Sequence, residues 1–268
     1  MTDFEKEFER PAYATGTHAA RIATVFKLAY GWMCAGLALS GLVAWYTAAS
    51  GLWKKVLLGP GMWMCIIAEI ALVWILSASI KKLSVGAACL MFIGYAALNG
   101  LTLSVVFIAY QIALVQRVFF ITAAMFGGLA VFGTVTRSDL SQIGAFCGMA
   151  LWGLIVAVFV NMFFHSSGFD WIVSFAGVLI FSGLTMWDAQ KIKLLAQQEG
   201  AMDAATRHKV GLMGALELYL DFINLFIYLL RILGRSRDSC HEDLPRCPFG
   251  VGARLGRDKR GRSRVGRD

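Results

Sequence analysis

Between Lys27 and Lys54 the chain carries no charged residue, and six further apolar runs follow before residue 235. A helix needs about 20 mostly apolar residues to cross the hydrocarbon core of a bilayer. The runs that meet this length are 28–50, 62–80, 85–108, 118–136, 143–164, 171–188 and 210–233. Charges bound most of them: Lys81 and Lys82 close the second, and Arg137 closes the fourth. The uncharged stretch from Leu83 to Gln116 is too long for one upright helix, so a turn at the interface is expected around Tyr110 and Gln111. The chain is 58% hydrophobic and 16% charged, whereas soluble domains carry ~45–50% and ~25%. The expectation is an all-α membrane protein with seven transmembrane helices.

No linker-like stretch interrupts the apolar region, so one membrane domain is expected over 22–234. It is preceded by a polar, acidic segment (1–21) and followed by a basic tail (235–268). That tail holds ten Lys/Arg against five Asp/Glu and repeats Gly-Arg without any hydrophobic period, which reads as disorder. It supplies most of the net charge of +8. The high pI is therefore no sign of nucleic-acid binding, and a basic tail either touches anionic lipid or stays solvated. The acidic start is the wrong character for a signal peptide. Cys34, Cys65, Cys89 and Cys147 lie inside apolar runs and read as small hydrophobes. Cys240 and Cys247 lack CxxC spacing, so neither a zinc nor a redox site is expected.

Cytoplasmic loops collect Lys and Arg. The N-terminal segment and the loops after spans two, four and six hold eleven of them; the opposite loops hold three, Lys54, Lys55 and Arg117. This places the N-terminus in the cytoplasm. Seven spans would then send the C-terminus outward, against the eleven Lys/Arg found from Arg231 onward. The side of the C-terminus stays open.

Ionisable groups inside a bilayer are expensive and mark a functional site by default. Four acids lie in the runs: Glu69, Asp188, Glu217 and Asp221. No Lys or Arg within a span is expected to neutralise them, since Arg231 falls ten residues past Asp221, near the membrane edge. Glu217 and Asp221 are spaced i, i+4 and Asn224 follows at i+3, so the three share a helix face that must point into the bundle. Asp188 ends the sixth run, and a loop of about 20 residues could bring it beside Asp221. Two carboxyls in contact share a proton and titrate as one unit, which suits a proton sensor; ionised, Asp188 and Asp221 would form a hard oxygen site for Ca²⁺. The competing reading of Asp188 is an interfacial acid solvated beside Lys191 and Lys193, and of Glu69 a protonated packing residue. His165 reads as interfacial rather than as a ligand. Small residues four apart (Gly36/Ser40, Ala123/Gly127, Gly144/Gly148) are expected to let helix backbones approach.

Four ordered stretches resemble the Bax inhibitor-1 family of membrane proteins in its bacterial branch: LNGLTLS (98–104), FFITAAMFG (119–127), AGVLIFSGLTMWDAQKIK (176–193) and GALELYLDFINLF (214–226). The resemblance covers about 22–235. It implies a seven-helix bundle with the last helix central, and an aspartate pair, here Asp188 and Asp221, acting as a pH-responsive latch on a calcium leak pathway. Many members carry an arginine near the end of the second span that pairs with one of these aspartates; this chain has Ala78-Ser79-Ile80 there. Glu217 is a second departure, standing where a small polar residue is more usual, and adds negative charge beside Asp221.

Two functions follow as expectations. One is a pH-sensitive calcium or cation leak channel, with Ca²⁺ and H⁺ as cargo, no cofactor and no enzymatic step, in a bacterial inner membrane. The other, resting on resemblance alone, is a regulatory protein that modulates a membrane protease or a stress or cell-death response through a membrane-protein partner. Deleting residues 1–20 should abolish the second and spare the first. An intramembrane aspartyl protease is disfavoured, because Trp187-Asp188 and Leu220-Asp221 lack the Tyr-Asp and Gly-x-Gly-Asp contexts of those enzymes.

Overall fold

In lipid every backbone N–H and C=O must find its partner within the chain, and a helix does this segment by segment. The computed structural model describes residues 12–56, 60–80, 82–164, 167–198 and 203–242. Seven long helices account for nearly all of them: α1 (Ala12–Ser50), α2 (Pro60–Ser79), α3 (Val85–Ala109), α4 (Ile112–Val135), α5 (Ser141–Phe164), α6 (Ser167–Gln198) and α7 (Ala204–Glu242). A single helical turn, Trp53–Val56, follows α1. All seven are long and apolar enough to cross a membrane.

The breaks fall where local chemistry puts them. Gly51 ends α1 at φ +72, a conformation that L side chains rarely adopt. Ser84 caps α3, its hydroxyl accepting from the Ala87 N–H at 3.2 Å. Tyr110 and Gln111 are extended and separate α3 from α4, which is the interfacial turn expected from the uncharged stretch.

Helices α2 to α5 match the apolar runs to within six residues at either end. The others outrun them. α1 begins at Ala12, inside the segment assigned to a polar N-terminal arm; α6 continues ten residues past Asp188; α7 starts at Ala204 and continues to Glu242, eight residues into the tail that composition marks as disordered. Residues 1–11 and 243–268, and His165, lie outside the described residues.

The last helix is central. Within its most apolar window 67% of residues are buried, against 6% for α2 and 17% for α5. It packs against α1, α3, α4 and α6, while α2 packs chiefly on α3. The outer surface is apolar, with Trp74 and Trp152 74% and 73% exposed, which is how a bundle meets acyl chains rather than water.

Close approaches set the rotation of the helices. A Cβ at Gly133 would strike the Met186 backbone, and one at Gly144 would enter the Trp187 ring. Gly36 lies against Phe92 and Tyr219, and Ser40 donates to Ala96 O at 2.6 Å. The spacing argument therefore holds for Gly36/Ser40 and for Gly144. Gly127 and Gly148 face open space.

Candidate functional site

Trp187 fills the slot left by Gly144 of α5, and Met186 rests on Gly133 of α4. With those two residues turned toward α4 and α5, the next one, Asp188, faces α7. There it meets Asp221, and the two carboxyls lie against each other. Both residues are buried, at 7% and 4% exposure. No N–H or hydroxyl among the described residues reaches Asp221 Oδ2, which is sealed from solvent.

One turn away stands a second contact between the same helices. Lys191 Nζ lies 2.6 Å from Glu217 Oε1, and also sits over the Trp187 ring at 5.1 Å from its centroid. This overturns the expectation that no cation inside a span neutralises the acids. The cause is the length of α6. Ending that span at Asp188 consigned Lys191 to a loop, whereas continued helix puts it at i+3, on the Asp188 face. The stretch remains helical because its other face is anchored too: Gln190 accepts from Leu140 N at 2.9 Å and donates to Ser138 O at 2.9 Å, and Lys193 donates to Thr134 O at 2.6 Å. The link between α6 and α7 is correspondingly short, 199–203, in place of the expected loop of about 20 residues.

Glu69 and Asn224 do not join this cluster. Glu69 accepts from Thr102 Oγ1 at 2.9 Å, and the same hydroxyl lies 2.9 Å from Asn99 O. Tyr219 donates to Asn99 Oδ1 at 3.1 Å and shares a 2.6 Å hydrogen bond with Ser40. Ser40, Tyr219, Asn99 and Glu69 thus link α1, α7, α3 and α2 in one polar chain. Asn224 donates to Leu220 O at 2.8 Å. The face shared by Glu217, Asp221 and Asn224 is divided: the first two turn to α6, the third to a cavity on the α2 side. The Ser40, Asn99, Thr102 and Tyr219 hydroxyls and amide were missed as site residues, since single polar groups in apolar helices have no spacing that singles them out.

Two cavities open along α7. One, of about 580 Å³, is lined by Glu69, Asn99, Thr102, Asn224 and Arg231 among α2, α3 and α7. Arg231 reaches Asp170 at 4.0 Å. The other, of about 530 Å³, lies nearer the N-terminal side and is lined by residues of α2, α6 and α7 that include Lys191, Lys209 and Glu217. Along α7, Asp221 falls between Glu217, on one cavity, and Asn224, on the other.

For Ca²⁺ as cargo the donor chemistry is right but the arrangement is that of a closed pair. Asp188 and Asp221 lie against each other out of solvent, Lys191 occupies Glu217, and among the described residues no group of three or more His, Cys, Asp or Glu is placed to hold a metal ion.

A family model described as "Inhibitor of apoptosis-promoting Bax1" matches residues 22–238. The Escherichia coli K12 inner membrane protein YbhL is 44% identical over 220 residues, covering 81% of this chain and 94% of its own. An uncharacterised Deinococcus radiodurans protein is 43% identical over 221 residues, 81% and 93% of the two chains. One from Borreliella burgdorferi is 38% identical over 211 residues, 78% and 90%. The matched region takes in all seven crossings and both members of the aspartate pair, and the chain belongs to the Bax inhibitor-1 family of integral membrane proteins.

Proposed function

We propose that the protein is a pH-sensitive cation leak channel of a bacterial inner membrane, with Ca²⁺ as cargo and the Asp188–Asp221 pair as its closure. The observation that carries this reading is the buried carboxyl pair on the α6–α7 contact, with Asp221 falling along α7 between Glu217, on one cavity, and Asn224, on the other. The inner-membrane location draws on the printed name of YbhL and the cytoplasmic N-terminus on the bias of basic loops. No chemical step is assigned to the protein; it conducts.

The direction of gating follows from placing two carboxyls in contact, which suits one shared proton. A shared proton holds α6 to α7. Its loss leaves two carboxylates in contact in a poorly solvated place, where like charges repel strongly. The pair then separates and offers its oxygens to a cation. Lys191 tempers the repulsion while Glu217 adds to it. Opening is therefore expected as pH rises, and the macroscopic titration belongs to the aspartate pair rather than to one residue.

The test is Ca²⁺ flux in proteoliposomes of the purified protein from pH ~5 to ~8, beside Asp221→Asn. The Asn amide can donate to Asp188 without a titrating proton. The parent should leak more as pH rises, and the variant should stay low and flat. No flux above empty liposomes at any pH would remove the channel reading and leave regulation of a membrane-protein partner, with the acids serving packing.

A further inference from the structure

On the side of α7 away from Asp221 lies a third cavity, of about 420 Å³. Phe222, Ile223 and Phe226 form its back wall; they follow Asp221 by one, two and five residues and so turn to the opposite helix face. Its sides are α1 and α4. Each packs on α7, but they share little contact with each other, so the space between them opens sideways. Trp45, Ile112 and Phe120 at its rim are exposed, part of the apolar surface that meets acyl chains. The mouth starts at Ile112, the first residue of α4 after the interfacial turn, and the lining reaches Phe120, about 12 Å deeper. Inside, the walls offer water nothing. The Ser40 hydroxyl, at the inner end, is engaged with Gly36 O, Ala96 O and the Tyr219 hydroxyl at 2.9, 2.6 and 2.6 Å. The Gln116 amide and the Trp45 indole stand at the exposed rim. A cavity walled by apolar groups stays dry and takes up hydrocarbon, and leaving one of this size unfilled is costly. Gly41 lines it without a side chain, and a Cβ there would meet nothing within 4 Å.

We infer that one acyl chain of a surrounding phospholipid occupies this pocket, entering between α1 and α4 and lying against Phe222 and Phe226. The occupant follows from continuity: the rim is itself lipid-facing surface, so hydrocarbon is the medium at the mouth, and a dry apolar wall prefers a chain to water. Recognition rests on the chain and not on the headgroup, because no charged residue lines the pocket. The inference stands whether or not the protein conducts ions. Where the aspartate pair gates a leak, as proposed above, a seated chain fills the space that α7 would enter on leaving Asp188, and so favours the closed pair.

The probe is phosphatidylcholine with a diazirine in the middle of one acyl chain, built into nanodiscs around the purified full chain. After illumination, peptide mass spectrometry should find carbene adducts on Val115 and Phe222, pocket residues only 5% and 3% exposed, as well as on lipid-facing Trp152. Gly41→Phe, which puts a ring where the chain lay, should cut labelling of the pocket about tenfold, equivalent to keeping about two methylenes out, with Trp152 labelled as in the parent. Ile112→Trp narrows the mouth from an exposed position that leaves the core untouched, and should lower pocket labelling too. The same chain on a phosphatidylglycerol headgroup should label the pocket equally. A pocket left unlabelled while Trp152 is labelled, or both variants labelled as the parent, would overturn the inference. Labelling with one headgroup alone would replace it with a site directed at that headgroup.

Discussion

Lys191 and Glu217 set the charge balance beside the aspartate pair, and the exposure of each tells how their removal is felt. The lysine side chain is 35% exposed and the glutamate 17%, so the pair is neither a free surface bridge nor a sealed one. Removing the lysine strands a carboxylate in a poorly hydrated place, which costs more than losing the attraction itself. Lys191→Met should therefore lower the unfolding temperature in detergent more than Glu217→Gln does, with a coupling energy on the order of 1 kcal/mol after discount for the exposed lysine. Equal effects of the two, with additive double substitution, would mean the contact is incidental. Tyr219→Phe removes the hydroxyl between Ser40 and Asn99 and should cost about 1 kcal/mol by the same measurement. At this scale the sequence spoke clearly where two acids stood four apart in an apolar run. It was silent about Lys191, because a lysine near three other polar residues looks like a loop until one knows that the helix goes on.

Helix ends and helix contacts obey different chemistry, and each can be tested separately. Asp203 stands just before α7 and accepts from the Thr206 N–H at 3.2 Å. That contact, to side chain and backbone of Thr206, holds the Asp203 carboxyl below its usual value. A carboxyl lowered by folding lends its support above its unfolded value and withdraws it as pH falls through the folded one. Amides in the first turn of α7 should thus exchange faster with solvent as pH drops below about 4, relative to those of α3, which Ser84 caps without a titrating group. A flat comparison would show that the cap contributes nothing there. Between helices, Gly144→Ala and Gly133→Ala should each lose about 1–3 kcal/mol, since the added methyl meets the Trp187 ring or the Met186 backbone. Gly127→Ala and Gly148→Ala meet nothing within 4 Å and should stay within about 0.5 kcal/mol of the parent in thermal unfolding. Gly127, Gly144 and Gly148 look alike as spacing, and Gly133 has no small residue four away; only the facing residue tells which glycine matters, and that comes from a different part of the chain.

The whole molecule is arranged around α7, so stability should be graded by distance from it. Amide exchange should be slowest in the middle of α7 and fastest, among the seven helices, in α2. The same rate in both would deny the central role of the last helix. Hydropathy made this architecture legible in outline, because apolar length fixes the number of crossings and bounding charges fix their limits. It failed at the ends of α1, α6 and α7. With 39 residues, α1 and α7 are about 58 Å long, well beyond the ~30 Å core, and their extensions carry charges that a search for apolar runs discards. In α6 that discarded extension holds the cation of the candidate site.

The isolation of α2 has a consequence for biosynthesis. Its carboxylate, Glu69, finds its hydrogen-bond partner on α3, at Thr102, and α3 leaves the ribosome later. Until then the acid has only lipid or water to meet. The two crossings therefore enter the membrane as a hairpin: α2 presented alone to the translocon should be retained less often than α2 followed by α3, and Glu69→Leu should erase that dependence.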